Sequence, residues 1–159
     1  MTLKDQLQRS LASLPLFSSG EHLVAVEDGS QELHCHLVAL DTMACAFTRL
    51  ALKADSITTI SMDDLKMKAE QLSARLTYLL EPISPIEIDS QGCVVQLRSN
   101  PPQKETDCTN YYELLLSRGN EISLCRYTRT VGQERKAIPA QVTREVLVRL
   151  AGDFSAVGP

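Results

Sequence analysis

Residues 61–82 read SMDDLKMKAEQLSARLTYLLEP, the clearest helical pattern in the chain. Leu65, Leu72 and Leu79 recur seven apart with Ala69 and Leu76 between them, which puts one apolar stripe along a helix. Ser61 can cap the first turn, and Asp64 three residues later can bond back to its amide. Asp63 and Asp64 place negative charge at the positive end of the helix dipole. Pro82 has no amide hydrogen and disfavours helical geometry at Glu81, so the pattern predicts a helix that stops there. About eighteen residues rising about 1.5 Å each would make a rod of about 27 Å, enough to back a sheet.

On the C-terminal side of this helix the apolar period switches to two. Ile86 and Ile88 alternate with Glu87 and Asp89; Cys93, Val95 and Leu97 alternate with Val94, Gln96 and Arg98. A turn over residues 89–92, pairing Ile88 with Cys93, would put both apolar sets on one face beneath Leu65, Leu72, Leu76 and Leu79. The polar stretch 100–109, stiffened by Pro101 and Pro102, reads as an exposed loop. Residues 111–117 and 122–129 form a second hairpin around Arg118, Gly119 and Asn120, with Leu114, Leu116, Ile122 and Leu124 inside. Its outer strand is expected to be a sheet edge open to a partner or to a second copy of the chain. After a charged loop at 131–136, Pro139 suits the first turn of a closing helix carrying Val142, Val146, Leu147 and Leu150. Gly152 is expected to end it, with a loose tail from Ser155.

On the N-terminal side, residues 2–15 read as a helix capped by Thr2, with Leu3, Leu7, Leu11 and Leu14 in line and Pro15 as its stop. Residues 22–27 and 31–40 form a hairpin signalled by Asp28-Gly29. Residues 44–52 suit either a third strand or a helix capped by Asp41. The strand is preferred, because Cys45 and Phe47 alternate with smaller residues and the hairpin needs a partner. The element order is α-βββ-α-ββββ-α. It predicts one α+β domain over residues 1–159, a twisted antiparallel sheet of about seven strands with helices on one face.

Composition sets the functional classes aside one by one. A chain of 159 residues, 43% hydrophobic and 23% charged, builds the core of one folded domain. No apolar run approaches the roughly 20 residues of a membrane helix, and the N-terminus does not read as a signal peptide, so a cytoplasmic location is expected. Five cysteines, an odd number without a C-x-x-C pair, are expected to be free thiols. Residues 1–91 carry 7 basic and 13 acidic side chains, residues 92–159 carry 9 and 7. That is no dense basic patch, and with aromatics at 4% nucleic acid is not an expected partner. No G-x-S-x-G elbow, G-x-G-x-x-G turn or Walker loop is present, so neither a catalytic residue nor a cofactor is indicated.

Two groups of side chains remain as candidate sites. His22, His34 and His36 with Glu32 would share a face if Glu27-Asp28-Gly29 made a three-residue turn, giving nitrogen and oxygen ligands for a metal. A two-residue turn reverses the parity and separates His22 from the rest. In the second group Tyr112 should face Arg126 and Tyr111 should face Tyr127 across the hairpin. With Arg129 beside them they read either as sheet stabilisation or as the rim of a binding site, to which Arg135 and Lys136 would draw an acidic partner.

The order helix, three strands, helix, two strands, helix resembles the small acidic secretion chaperones of the type III systems, to which the 111–129 hairpin is an addition. That resemblance implies a homodimer that holds an extended segment of a partner protein. The functional expectation is a non-catalytic protein-binding module, chaperone-like, holding an extended partner segment or self-associating. The alternative is a small-molecule or metal-dependent activity on the histidine face.

Overall fold

A computed structural model describes residues 1–55, 60–118 and 120–158. The helices are α1 (Leu3–Ser13), α2 (Met62–Arg75) and α3 (Arg144–Val157). Between α1 and α2 run β1 (His22–Asp28), β2 (Gln31–Leu40) and β3 (Ala44–Ala54). Between α2 and α3 run β4 (Ile83–Asp89), β5 (Val94–Ser99), β6 (Gln103–Lys104), β7 (Cys108–Ser117), β8 (Glu121–Thr130), β9 (Lys136–Ile138) and β10 (Ala140–Thr143). The class is α+β: three helices and one antiparallel sheet whose long strands lie in the order β1-β2-β3-β8-β7-β5-β4. The region 44–54, open to two readings in the sequence, is a strand.

Strand alternation and register together make the core. Cross-strand partners line up as one buried row, Val26, Leu33, Leu52, Ile122, Leu116 and Val95, and a second, Val24, Cys35, Leu50, Leu124, Leu114 and Leu97. Because successive side chains of a strand point to opposite faces, every second residue of six strands meets on one side. Leu3, Leu7 and Leu11 of α1, Leu65, Ala69 and Leu72 of α2, and Leu147, Leu150 and Phe154 of α3 join the same core cluster. Thr2 and Asp5 form a reciprocal capping box on α1, and Ser61 and Thr143 each accept an amide hydrogen to cap α2 and α3.

The structure departs from the sequence expectations where long-range contacts override local pattern. Helix α2 ends at Arg75, not at Glu81, although Leu76 and Leu79 stay buried. The segment beyond it is pulled across to α3: the Tyr78 hydroxyl donates to Asp153 Oδ2 at 2.6 Å, and Arg75 Nη1 lies 3.1 Å from Asp153 Oδ1. Arg149 sits 4.0 Å over the Tyr78 ring. Burial, followed by the bond to Asp153, holds the Tyr78 phenol protonated well above its usual range.

In the β4–β5 hairpin Ile88 pairs with Val95, not Cys93, which lies in the turn at φ +56°. Ile86 and Ile88 are 45% and 46% exposed, whereas the expectation put them under α2. β4 is the rim of the sheet, with a bulge between Pro85 and Glu87, so only Ile83 at its start is buried.

The stretch 100–109, expected as loop, contributes β6 and the start of β7, and β9 and β10 replace the expected loop and first helical turn around Pro139. Helix α3 starts at Arg144 and runs through Gly152 to Val157, so the expected stop and loose tail are both helix. The turn expected at Arg118–Gly119–Asn120 includes Gly119, which lies outside the described residues.

The largest topological correction concerns the sheet edges. They are β1 and β4, not the β7–β8 hairpin. Ser123 of β8 lies between Ala51 of β3 and Leu115 of β7. The hairpin is central because β3, closing the first three-stranded unit, takes β8 as its outer partner. The true edges carry Glu27 and Asp28 on β1 and Pro85, Glu87 and Asp89 on β4, the residue types that discourage pairing with another chain.

Candidate functional site

The sheet splits near its middle. β3 and β8 pair only over Leu50–Lys53 with Glu121–Leu124. Beyond that point Ala44–Phe47 pairs with β10, and Arg126–Thr128 pairs with β9. Segment 136–143 is therefore a wedge driven into the fork, with Pro139 at its tip. A proline suits this corner, since it has no amide to satisfy and a fixed φ that breaks the run of strand.

On the sides turned away from β8 and β3, β9 and β10 pair with no strand among the described residues. The Arg144 amide donates to Met43 O at 2.9 Å, continuing the β10–β3 register. Antiparallel alternation then directs the backbone of Ala140 and Val142 toward β3 as well. Gln141 is left with its N–H and C=O on the open side.

The fork opens into a groove of about 1130 Å³. One wall is the segment after α2, with Tyr78, Leu79, Leu80 and Pro82; another is Pro101 and Pro102. The wedge supplies Ile138, Pro139 and Val142, and α3 supplies Val146. Leu80 projects into solvent at the rim, 96% exposed and at φ +66°, a backbone conformation that a leucine rarely adopts.

At the floor Arg126 ties three separate segments together. Its Nη2 donates to Glu81 Oε2 at 2.9 Å and to Gln103 Oε1 at 3.1 Å, and its Nη1 reaches Glu81 Oε1 at 3.4 Å. The guanidinium stacks 4.4 Å over the Tyr112 ring. Both charged side chains are nearly buried, 11% exposed for Arg126 and 12% for Glu81. A fork-to-carboxylate pair of this kind fixes geometry more than it adds stability, because both charges have left water. Burial raises the Tyr112 phenol above its ordinary value, so the floor presents a neutral ring and a neutralised ion pair. The groove offers apolar surface and, at Gln141, backbone on its open side.

The sequence-derived tyrosine and arginine group is divided between two faces. The cross-strand register is the one expected, Tyr112 opposite Arg126 and Tyr111 opposite Tyr127. Alternation therefore sends Tyr112 and Arg126 to the groove, and Tyr111, Tyr127 and Arg129 to the opposite side of the sheet. Glu81 and Gln103 carried no signal in the sequence.

The histidine group is separated as well. Asp28 pairs with Gln31, so the turn is the two-residue Gly29–Ser30 with Gly29 at φ +60°, and His22 falls opposite Leu37 on the core-facing side. Its ring packs 4.4 Å from that of Phe17. His34 and His36 lie on the other face, where His34 contacts Glu32 and His36 Nδ1 lies 3.1 Å from Glu21 Oε1. The four proposed ligands do not converge, and among the described residues no group of three such side chains could hold a metal ion.

No family model, curated protein or solved structure matches this chain. The five cysteines are free, Cys35 and Cys45 among core residues. No helix among the described residues is long and apolar enough to cross a membrane.

Proposed function

We propose that the chain is a non-catalytic protein-binding module, chaperone-like, that holds an extended segment of a partner protein in the forked groove. The observation that carries this reading is the split sheet: an open apolar groove bordered by unpaired β10 backbone at Gln141. An extended peptide can use both features at once, giving backbone bonds to the strand and alternate side chains to the apolar walls.

Leu80→Asp tests it without disturbing the fold. Leu80 is 96% exposed, and aspartate accepts a positive φ more readily than leucine does. Tagged wild-type chain, incubated with extract of its native cell and analysed by mass spectrometry, should retain a partner that Leu80→Asp loses. Expected loss is at least about tenfold, the equivalent of about 1.4 kcal/mol for one buried leucine contact. Equal retention by both proteins would exclude the groove as the binding surface.

A further inference from the structure

On the face opposite the groove, two arginines flank one buried carboxylate and a third lines the same cavity. Glu113 of β7 is 4% exposed, and its Oε2 accepts from Arg135 Nη1 at 2.7 Å. Its Oε1 lies 3.6 Å from Arg98 Nη2 and also accepts from the Gln96 amide. Two stacked rings set the guanidinium planes: Arg98 lies 4.6 Å from the Tyr111 centroid and Arg135 4.0 Å from that of Tyr127. All of these side chains except Tyr127 line a cavity of about 670 Å³ under the 131–135 loop, and Arg129 joins them there.

The carboxylate leaves donors over. Arg129 is exposed, and its side chain makes no hydrogen bond or ion pair among the described residues. Arg98 Nε is buried with no acceptor. An unmet buried donor is costly, so an acceptor that reached it would be favoured. The lining counts Arg98, Arg129 and Arg135 against Glu113 and Glu134, a surplus of one positive charge. The side chains of Arg98 and Arg135 remain 34% and 41% exposed, so an incoming group can touch both.

We propose that this cavity binds an oxyanion, the carboxylate or phosphate group of a small ligand. Arg129 supplies the uncompensated charge, and Arg98 and Arg135 supply N–H groups not taken by Glu113. Guanidinium forks match the paired oxygens of both anion types. The stacked rings hold two of the three forks in place before the ligand arrives, which lowers the ordering cost of binding. The site lies on the other face from the forked groove and does not depend on it.

Inorganic phosphate and citrate, titrated separately at constant ionic strength and followed by amide chemical shifts, test this on the full chain. Saturable shifts are expected at Gln96, Tyr111, Glu113 and Arg129, and the tighter-binding anion identifies the ligand class. Arg129→Gln should weaken that binding at least about tenfold, while Arg9→Gln on exposed α1 should leave it unchanged. Arg98→Lys keeps the charge but removes the fork, and is expected to lower affinity severalfold with folding intact by circular dichroism. Non-saturating shifts for both anions, or equal weakening by Arg9→Gln and Arg129→Gln, would overturn the proposal.

Discussion

Phe154→Ala should lower the stability of the chain by about 3–5 kcal/mol, as emptying a filled aromatic site does. Phe154 is fully buried in α3, at 0% exposure, among core residues contributed by both other helices and the sheet. Few neighbours can collapse into the space it leaves, since they belong to elements fixed by their own ladders and caps. Against a total of about 5–15 kcal/mol for an ordinary domain, this is a large fraction. Urea unfolding followed by circular dichroism should show a much lower midpoint with an unchanged slope. A midpoint equal to wild type would mean that α3 does not close the core.

Ser123→Pro should be comparably damaging, and for a different reason. Ser123 sits in β8 between two paired neighbours, so its amide points into either the β3 or the β7 ladder. Proline removes that donor and leaves an interior carbonyl without a partner, about 1–3 kcal/mol before the fixed φ of the ring is counted. Had β8 been an edge with an outward amide, as the sequence reading expected, the same substitution would have been nearly neutral. Unfolding curves of Ser123→Pro and Ser123→Ala side by side isolate the backbone effect. Similar midpoints for the two would contradict the central placement of β8.

Much of this architecture was legible in the residues. Period-two alternation from Leu114 to Leu124 set both the hairpin and its register, because a one-residue slip would take Leu114 and Leu116 off the face of Ile122 and Leu124. The Leu65, Ala69 and Leu72 stripe named the buried face of α2. Helix ends were less readable. Pro82 permits helix to continue to Glu81, whereas the segment after Arg75 is held off the helical path by bonds of Tyr78 and Arg75 to Asp153 and of Glu81 to Arg126, all far along the chain. Gly152 looked like a terminator because its cost within a helix is visible locally, whereas the burial of Phe154 and Val157 that outweighs it is not.

The candidate site was only half legible. The Tyr112–Arg126 pairing followed from the hairpin, but the carboxylate that completes it, Glu81, is 45 residues away and lies in a stretch read as helix. The fork itself had no signature. A four-residue strand such as β10 carries too few positions for alternation to show, and Pro139 argued for a helix start. The histidine face turned on a single residue in a turn, since Gly29–Ser30 and a three-residue turn place His22 on opposite sides of the sheet.

Amide hydrogen exchange of the chain, alone and bound to the partner it retains from its cell, tests the proposed groove most directly. New protection is expected at the Gln141 amide, along residues 78–81 and along residues 103–105, with β1 and β4 unchanged. Protection confined to β1 or β4, with Gln141 exchanging as fast in the complex as in the free chain, would contradict it.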